Sequence, residues 1–390
     1  MTADPVGWTT CLDELRAVAE RLDAQLRSGD GSAREADAAV KMFGAITATY
    51  LTHLWADPDH PAFVPSVGYY TMYGSPNPDT LYRNAAIDGR GEYLVSGHRG
   101  TVPGVSVMPF GPPAAGGLQT FAPFDFNDLS IESDGTFEVV LSARRPAAAT
   151  NWWRLEPETR TLMLRSVSEQ WGEHTEPRIA IERLDTDPRR PRTAPEELCR
   201  RFGSFAAVVE GMIMSGVNRV AKLRADDVVN RLVTVDYSGT GGGLDDQWYQ
   251  EGCFSLVDDD ALVIETHLGP DCRAFSLSLT DALFSTIDWA SAHSSLNRHQ
   301  AVVDPDHVLR VVVAKADPGV HNWLDTTGHG FGVMQFRWSG TSTAPDVSVR
   351  KVTLGSLDGT LPAAVARVTP EQRATAIRTR QRGVQLRSRW

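Results

Sequence analysis

The chain carries a diverged copy of itself, and this repeat narrows the fold more than any compositional figure. Asn151-Trp152-Trp153 returns as Asn322-Trp323-Leu324, 171 positions on, and Leu162-Met163-Leu164-Arg165 returns as Met334-Gln335-Phe336-Arg337 at an offset of 172. Upstream, Phe137 to Leu141 matches Leu309 to Val313, and Leu94-Val95 with His98-Arg99-Gly100 matches Leu262-Val263 with His267-Leu268-Gly269. Asp79-Thr80-Leu81-Tyr82 matches Asp246-Gln247-Trp248-Tyr249 at an offset of 167. These matches keep one order, and their offsets climb slowly, as small loop insertions would make them. They predict an internal duplication, in which one packing solution is used twice. Residues kept in both copies most simply serve the shared fold: Asn151 and Asn322 as turn caps, Trp152 and Trp323 as core volume, Arg165 and Arg337 as partners of nearby carboxylates. A polar residue found in one copy is the better candidate for chemistry.

Each copy begins with helical periodicity and continues into β texture. Leu15, Val18, Ala19, Leu22 and Leu26 fall at helical spacing. After Gly29-Asp30-Gly31, Ser32 and Glu35 form a capping box for a second helix, whose Val40, Phe43, Ile46, Tyr50, Leu51 and Leu54 should face a core. From Val64 onward, runs of about six residues alternate with Gly and Pro, the pattern of a sandwich or barrel rather than of βαβ units. Strands are expected at 81–87, 92–98, 105–109, 129–132, 136–142, 161–167 and 178–184, then at 252–256, 261–268, 275–279, 308–313, 332–338 and 347–354. Asp187-Pro188-Arg189-Arg190-Pro191 reads as a linker, and Thr193 as the cap of a helix with Pro195 in its first turn, followed by a shorter helix over 217–223. Gly239 to Gly243 reads as a flexible loop, and Thr369-Pro370-Glu371-Gln372 opens an arginine-rich C-terminal helix expected to be solvated.

The expected fold class is therefore α+β, mainly β: two duplicated units, each a helical segment followed by an antiparallel β-sandwich of jelly-roll type, with a C-terminal helix. The first unit covers 8–190 (helices 11–55, β region 64–185) and the second 193–390 (helices 194–224, β region 245–355, C-terminal helix 370–388). A net charge of −11 argues against a general nucleic-acid binder, since phosphate binding needs a positive field. No apolar run approaches the ~18 residues of a membrane span, and Met-Thr-Ala-Asp-Pro lacks the basic-then-apolar start of a signal peptide. Cys11, Cys199, Cys253 and Cys272 include no CxxC pair, so free thiols in a reducing cytoplasm are expected. The partner expected is a small molecule, with homo-oligomer formation left open.

No GxSxG elbow, P-loop, HExxH or dinucleotide fingerprint is present. The candidates are scattered polar residues of single copies. His329 lies between Gly328 and Gly330, where a ligand can approach the backbone, with Asp325 and His321 on either side of Trp323's segment. Asp325 and His329 are the expected acid–base pair. Asn77, between two prolines, and Arg83 are expected to position a substrate, together with His321 and His293. The spacing of His293, His299, His307, His321 and His329 fits no standard metal pattern. No cofactor is expected, with a single divalent metal at His321 or His329 as a subordinate variant. A Ser–His–Asp set could be drawn from Ser291 to Gln300, but nothing singles out one serine.

Asn77-Pro78-Asp79-Thr80-Leu81-Tyr82, the Asn151-Trp152 segment and Asp317 to Asp325 with Gly328-His329 resemble the domain-of-unknown-function 1214 family, which often carries a companion domain numbered 1254. The resemblance runs from about Tyr69 to Arg387 and departs at Trp153, where the family more often has Leu. It implies a largely β, sandwich-like fold with appended helices and assigns no catalytic residues. The residues themselves suggest an enzyme of lyase, isomerase or hydrolase type, acting by acid–base chemistry on a small hydroxylated molecule where two β domains meet. The alternative is a non-catalytic protein that binds a carbohydrate or other small ligand.

Overall fold

Two β-sandwiches are laid end to end along the chain, with helices closing one side. The structure, a computed structural model, describes residues 7–28, 35–114, 117–237, 243 and 247–387. Helices α1 (Trp8–Ser28) and α2 (Glu35–Thr49), the latter ending in a π-type turn over Tyr50–Leu54, precede the first β region. That region holds β1 (Val64–Pro65), β2 (Thr80–Ala86), β3 (Tyr93–His98), β4 (Gly104–Ala114), β5 (Gly117–Thr120), β6 (Phe124–Asp125), β7 (Thr136–Ser142), β8 (Trp152–Arg154), β9 (Thr161–Val167) and β10 (Arg178–Arg183). Helix α3 (Pro195–Ala225) leads into β11 (Val233–Val235), β12 (Gln247–Ser255), β13 (Asp260–His267), β14 (Ala274–Thr280), β15 (Ser295–Asn297), β16 (Val308–Ala314), β17 (Trp323–Asp325), β18 (Phe331–Ser339) and β19 (Val347–Thr353). The short α4 (Leu357–Thr360) and α5 (Pro370–Leu386) end the chain.

The two halves share one strand order. One sheet runs β1-β2-β9-β4-β5 and its counterpart β11-β12-β18-β14-β15; the facing sheets run β10-β3-β7-β8 and β19-β13-β16-β17. The antiparallel expectation needs correction at one strand in each half: β8 runs parallel to β7, and β17 parallel to β16. The reason lies in Asn151 and Asn322. Each carboxamide bonds both the N–H and the C=O of one residue (Ser130, Val302) and a carbonyl of the neighbouring strand (Glu138, Arg310), holding the chain at the sheet edge. Trp152 and Trp323 then donate from Nε1 to Ser142 Oγ and Ala314 O. In register, Leu94 faces Val140 while Val263 faces Val312, so Val263 rather than Leu262 is the counterpart of Leu94. Asp246, the partner of Asp79 in the sequence match, lies outside the described residues, as do the Ser32 cap, Gly29 to Gly31 and most of Gly239 to Gly243.

Strand patterning reports what covers each face. β7 alternates because only its sandwich side is fully covered, whereas β16 is buried throughout. One face of β16 enters the sandwich core with Phe254, Leu277 and Trp338; the other packs under Val320, Leu357, Leu361 and Val365. The segment 129–132 forms no strand; its place is taken by a turn closed by Asn151.

Helices from both halves make one bundle. Val18 and Leu22 of α1 and Ala38, Met42 and Ala45 of α2 pack on Phe205, Val209 and Ile213 of α3. Helix α3 is continuous through Val217, where two helices were expected, and starts from Ala194 without a side-chain cap, so Thr193 does not cap it. α2 is turned relative to expectation: Val40 and Phe43 are each 69% exposed, and Ala45, Ala48 and Lys41 face inward. Small residues on that face permit close approach to α3, and burial there carries a lysine that pattern reading places outside.

Candidate functional site

The segment 288–300 contributes to two separate cavities. His293, His299 and Gln300 line one of about 470 Å³; Asp288, Ser291 and Ala292 line another of about 420 Å³. The first is walled by Glu169 and Trp171 after β9, by His321 ahead of β17, and by Arg373 and Arg380 of α5.

Helix α5 is expected to be solvated, yet Arg373, Arg380 and Arg387, seven residues apart, form a buried stripe. A true capping box starts it: Thr369 Oγ1 accepts from Gln372 N, and Gln372 Oε1 accepts from Thr369 N. Arg373 pairs with Asp317 at 2.9 Å and donates to the carbonyls of Val320 and His321. Arg387 pairs with Glu176 at 2.6 Å and donates to Ser166 O and Pro78 O. Arg380 differs, because its recorded acceptors, Trp289 O, Gln300 Oε1 and Ser295 Oγ, are all neutral. Its guanidinium stacks over Trp171 at 4.8 Å. Burial lowers its pKa to about 10, which still leaves a full positive charge in the cavity wall at neutral pH.

Two histidines have their tautomers set by carbonyls, which only accept. His293 Nδ1 donates to Trp323 O at 2.5 Å and His321 Nε2 donates to Gln300 O at 3.0 Å. The other nitrogen of each ring is left as an acceptor. Burial, with Arg380 and Arg373 nearby, holds the His293 pKa well below its usual value, so this imidazole is neutral. Glu169 is the complementary group. Burial first, and the Asp79 carboxylate second, raise its carboxyl to about 7, and its Oε1 has no hydrogen-bond partner among the described residues. A carboxyl poised near neutrality, in one cavity with the neutral His293 imidazole, can both give and take a proton.

The structure brings His293 and His321 together in this cavity and separates the other expected residues. Asp325 and His329 do not form a pair. The turn after β17 folds the Asp325 carboxylate onto Thr327 N at 2.7 Å, while His329 N bonds Thr326 O and lines the second cavity. Asn77 serves as a clamp: its Oδ1 accepts from Asp79 N at 3.0 Å and from Ser276 Oγ at 2.7 Å, the latter across the two halves. Asp79 extends that clamp, accepting from Trp171 Nε1 and Asn297 Nδ2. Arg83 lines a third, smaller cavity of about 130 Å³ with Tyr69, Tyr70 and Trp289, and donates to Pro177 O. Arg337 bonds Ser75 O and Ser278 Oγ rather than the carboxylate expected of it. All four cysteines are free thiols. Among the described residues no group of three or more His, Cys, Asp or Glu converges as metal ligands would. Sequence reading missed Glu169, Trp171 and Arg380; the seven-residue arginine spacing signalled the last, and nothing local signalled the others.

Fold and site together define a β-rich protein of paired sandwiches with a cavity sealed by its last helix. No family model and no curated protein matches the chain. Among solved structures, an uncharacterised protein from Burkholderia cenocepacia superposes with a TM-score of 0.82 at 30% identity, over 90% of this chain and 97% of that one. This chain belongs to the same family as that Burkholderia protein. A protein from Vibrio parahaemolyticus, 13% identical over 80% of this chain and 98% of its own, reaches a TM-score of 0.43. No helix among the described residues is long and apolar enough to cross a membrane.

Proposed function

We propose that the protein is an enzyme that moves protons on a small hydroxylated molecule bearing an anionic group, bound in the cavity under α5. The observation that carries this reading is Glu169, raised to about 7, sharing one cavity with His293 and His321. Arg380 supplies the charge that recognises the anionic group, and Trp171 a flat apolar face. His293, held neutral, accepts a hydrogen bond from a substrate hydroxyl at Nε2, and Glu169 takes or returns the proton on carbon or oxygen. The chemistry fits a lyase or isomerase, and no resident metal or cofactor enters it. The matched strand orders and the matched Asn151 and Asn322 networks support reading the two halves as copies of one duplicated unit.

The test is carbon-bound hydrogen exchange in D2O, followed by proton NMR with malate, lactate and gluconate as probes. Exchange should rise as pH passes about 7, because Glu169 acts as a base only when ionised, and Glu169→Gln should lower it by roughly 10²–10⁴-fold with the fold intact. Saturable binding without exchange would favour the non-catalytic alternative, a small-ligand-binding protein. Neither binding nor exchange with any probe would defeat the assignment of substrate class.

A further inference from the structure

The second cavity holds a group that the α5-side chemistry does not use. Lys41 of α2 is 1% exposed, and its Nζ lies 3.2 Å from Ser285 Oγ. Both residues line the cavity of about 420 Å³, with His329, Asp37 and Asp288 around them and Met72 and Ile287 supplying apolar surface. Among the described residues Lys41 forms no direct ion pair, and its amine hydrogen-bonds Ser285 Oγ. Burial lowers its pKa to about 8, with the Asp281 carboxylate opposing the shift.

Ser285 is held by a rigid turn. Asp281 Oδ1 accepts from Leu283 N at 2.9 Å and from Ser285 N at 2.8 Å, and Asp281 N donates to Ser285 O at 2.9 Å. The residue before the serine, Phe284, has φ of 66°, a left-handed conformation that a bulky side chain rarely adopts. Such strain persists only where surrounding contacts over-determine it, and it recurs at sites that must present one atom in one direction. On the facing helix stands Gly216, where an added Cβ would lie 3.0 Å from Phe284 Cβ and 3.4 Å from Lys41 Nζ. Turn, lysine and glycine thus come from three elements distant in sequence.

We propose that Ser285 and Lys41 form a second active centre, independent of the first, in which the serine is a nucleophile and the lysine its base, hydrolysing a small ester or amide. Neutral Lys41 Nζ takes the Ser285 Oγ proton as Oγ bonds to the acyl carbon. The tetrahedral adduct expels its alcohol or amine, which leaves with that proton. Water, deprotonated by Lys41, then attacks the acyl-serine, releasing the carboxylic acid and returning the serine its proton. Asp37 and Asp288 at the cavity wall disfavour acidic substrates, so the acyl compound is neutral or carries a cationic leaving group. The charged and titratable groups around Lys41 are Asp37 on its own helix, Asp281 and Asp288 on the 281–291 segment, and His329 beyond β17; α3 brings Gly216 against its amine.

The experiment is labelling of the full chain with diisopropyl fluorophosphate, read by intact mass and peptide mapping from pH 6 to 10. The expected result is one adduct, on Ser285, forming faster as pH rises through about 8 and levelling above it. Ser285→Ala should abolish the adduct, and Lys41→Met and Lys41→Arg should each slow it by roughly 100-fold or more. No adduct at any pH, an adduct elsewhere, or Ser285 labelling that ignores pH between 7 and 9 would overturn the proposal. Should both lysine variants fail to fold by circular dichroism, the pH profile of the unaltered protein still decides.

Discussion

At the scale of single residues, burial sets the chemistry. Glu176 and Arg387 are almost fully buried and joined by a 2.6 Å ion pair. Removing one partner strands the other charge in a low-dielectric interior, so Glu176→Ala should cost about 3–5 kcal/mol in chemical unfolding, while replacing both partners with apolar residues should recover much of that. Glu169 contributes with the opposite sign to an ordinary ion-paired carboxylate. Its folded pKa is raised, so its favourable contribution is present below the usual glutamate range and is lost as pH rises towards about 7. That loss is the thermodynamic cost of burying the carboxyl beside Asp79. Asn77 shows the reverse case: a polar residue framed by prolines looks like a ligand contact, and its side-chain oxygen is taken by Ser276 and Asp79.

At the scale of elements, α5 decides whether the α5-side cavity exists. Its Gly383 lies so close to the loop after β9 that an added Cβ would sit 2.7 Å from Trp171 O. Gly383→Ala gains ~1 kcal/mol in helix propensity but forces α5 away from Trp171, and we expect net destabilisation of about 1–3 kcal/mol, read as a lowered Tm. A raised Tm would show that the helix is not seated as described. Helix α2 illustrates a second point. Its apolar residues Val40 and Phe43 are exposed while Ala38, Ala45 and Ala48 are buried, because the face carrying these alanines sits close to α3 and delivers Lys41 to Ser285.

At the scale of the whole molecule, the halves are interlocked. The loop Ser75 to Asp79 of the first half is held by Arg337, Ser276, Thr286 and Asn297 of the second, and α5 bonds both. α1 and α2 share their core with α3. Differential scanning calorimetry should therefore show one cooperative transition; two resolved transitions would mean that these contacts do not couple the halves. Local information in the chain determined a good deal: the strands 136–142 and 161–167, the Thr369 cap and the Asn151 and Asn322 turns all follow from periodicity and turn chemistry confined to a few residues. Tertiary structure alone decided which polar residues meet. Glu169 with His293 and His321, and Lys41 with Ser285, are joined across 124 to 244 positions of chain by packing of separate elements. The altered proton affinities of Glu169, His293 and Lys41 come from that burial, a property no local spacing encodes.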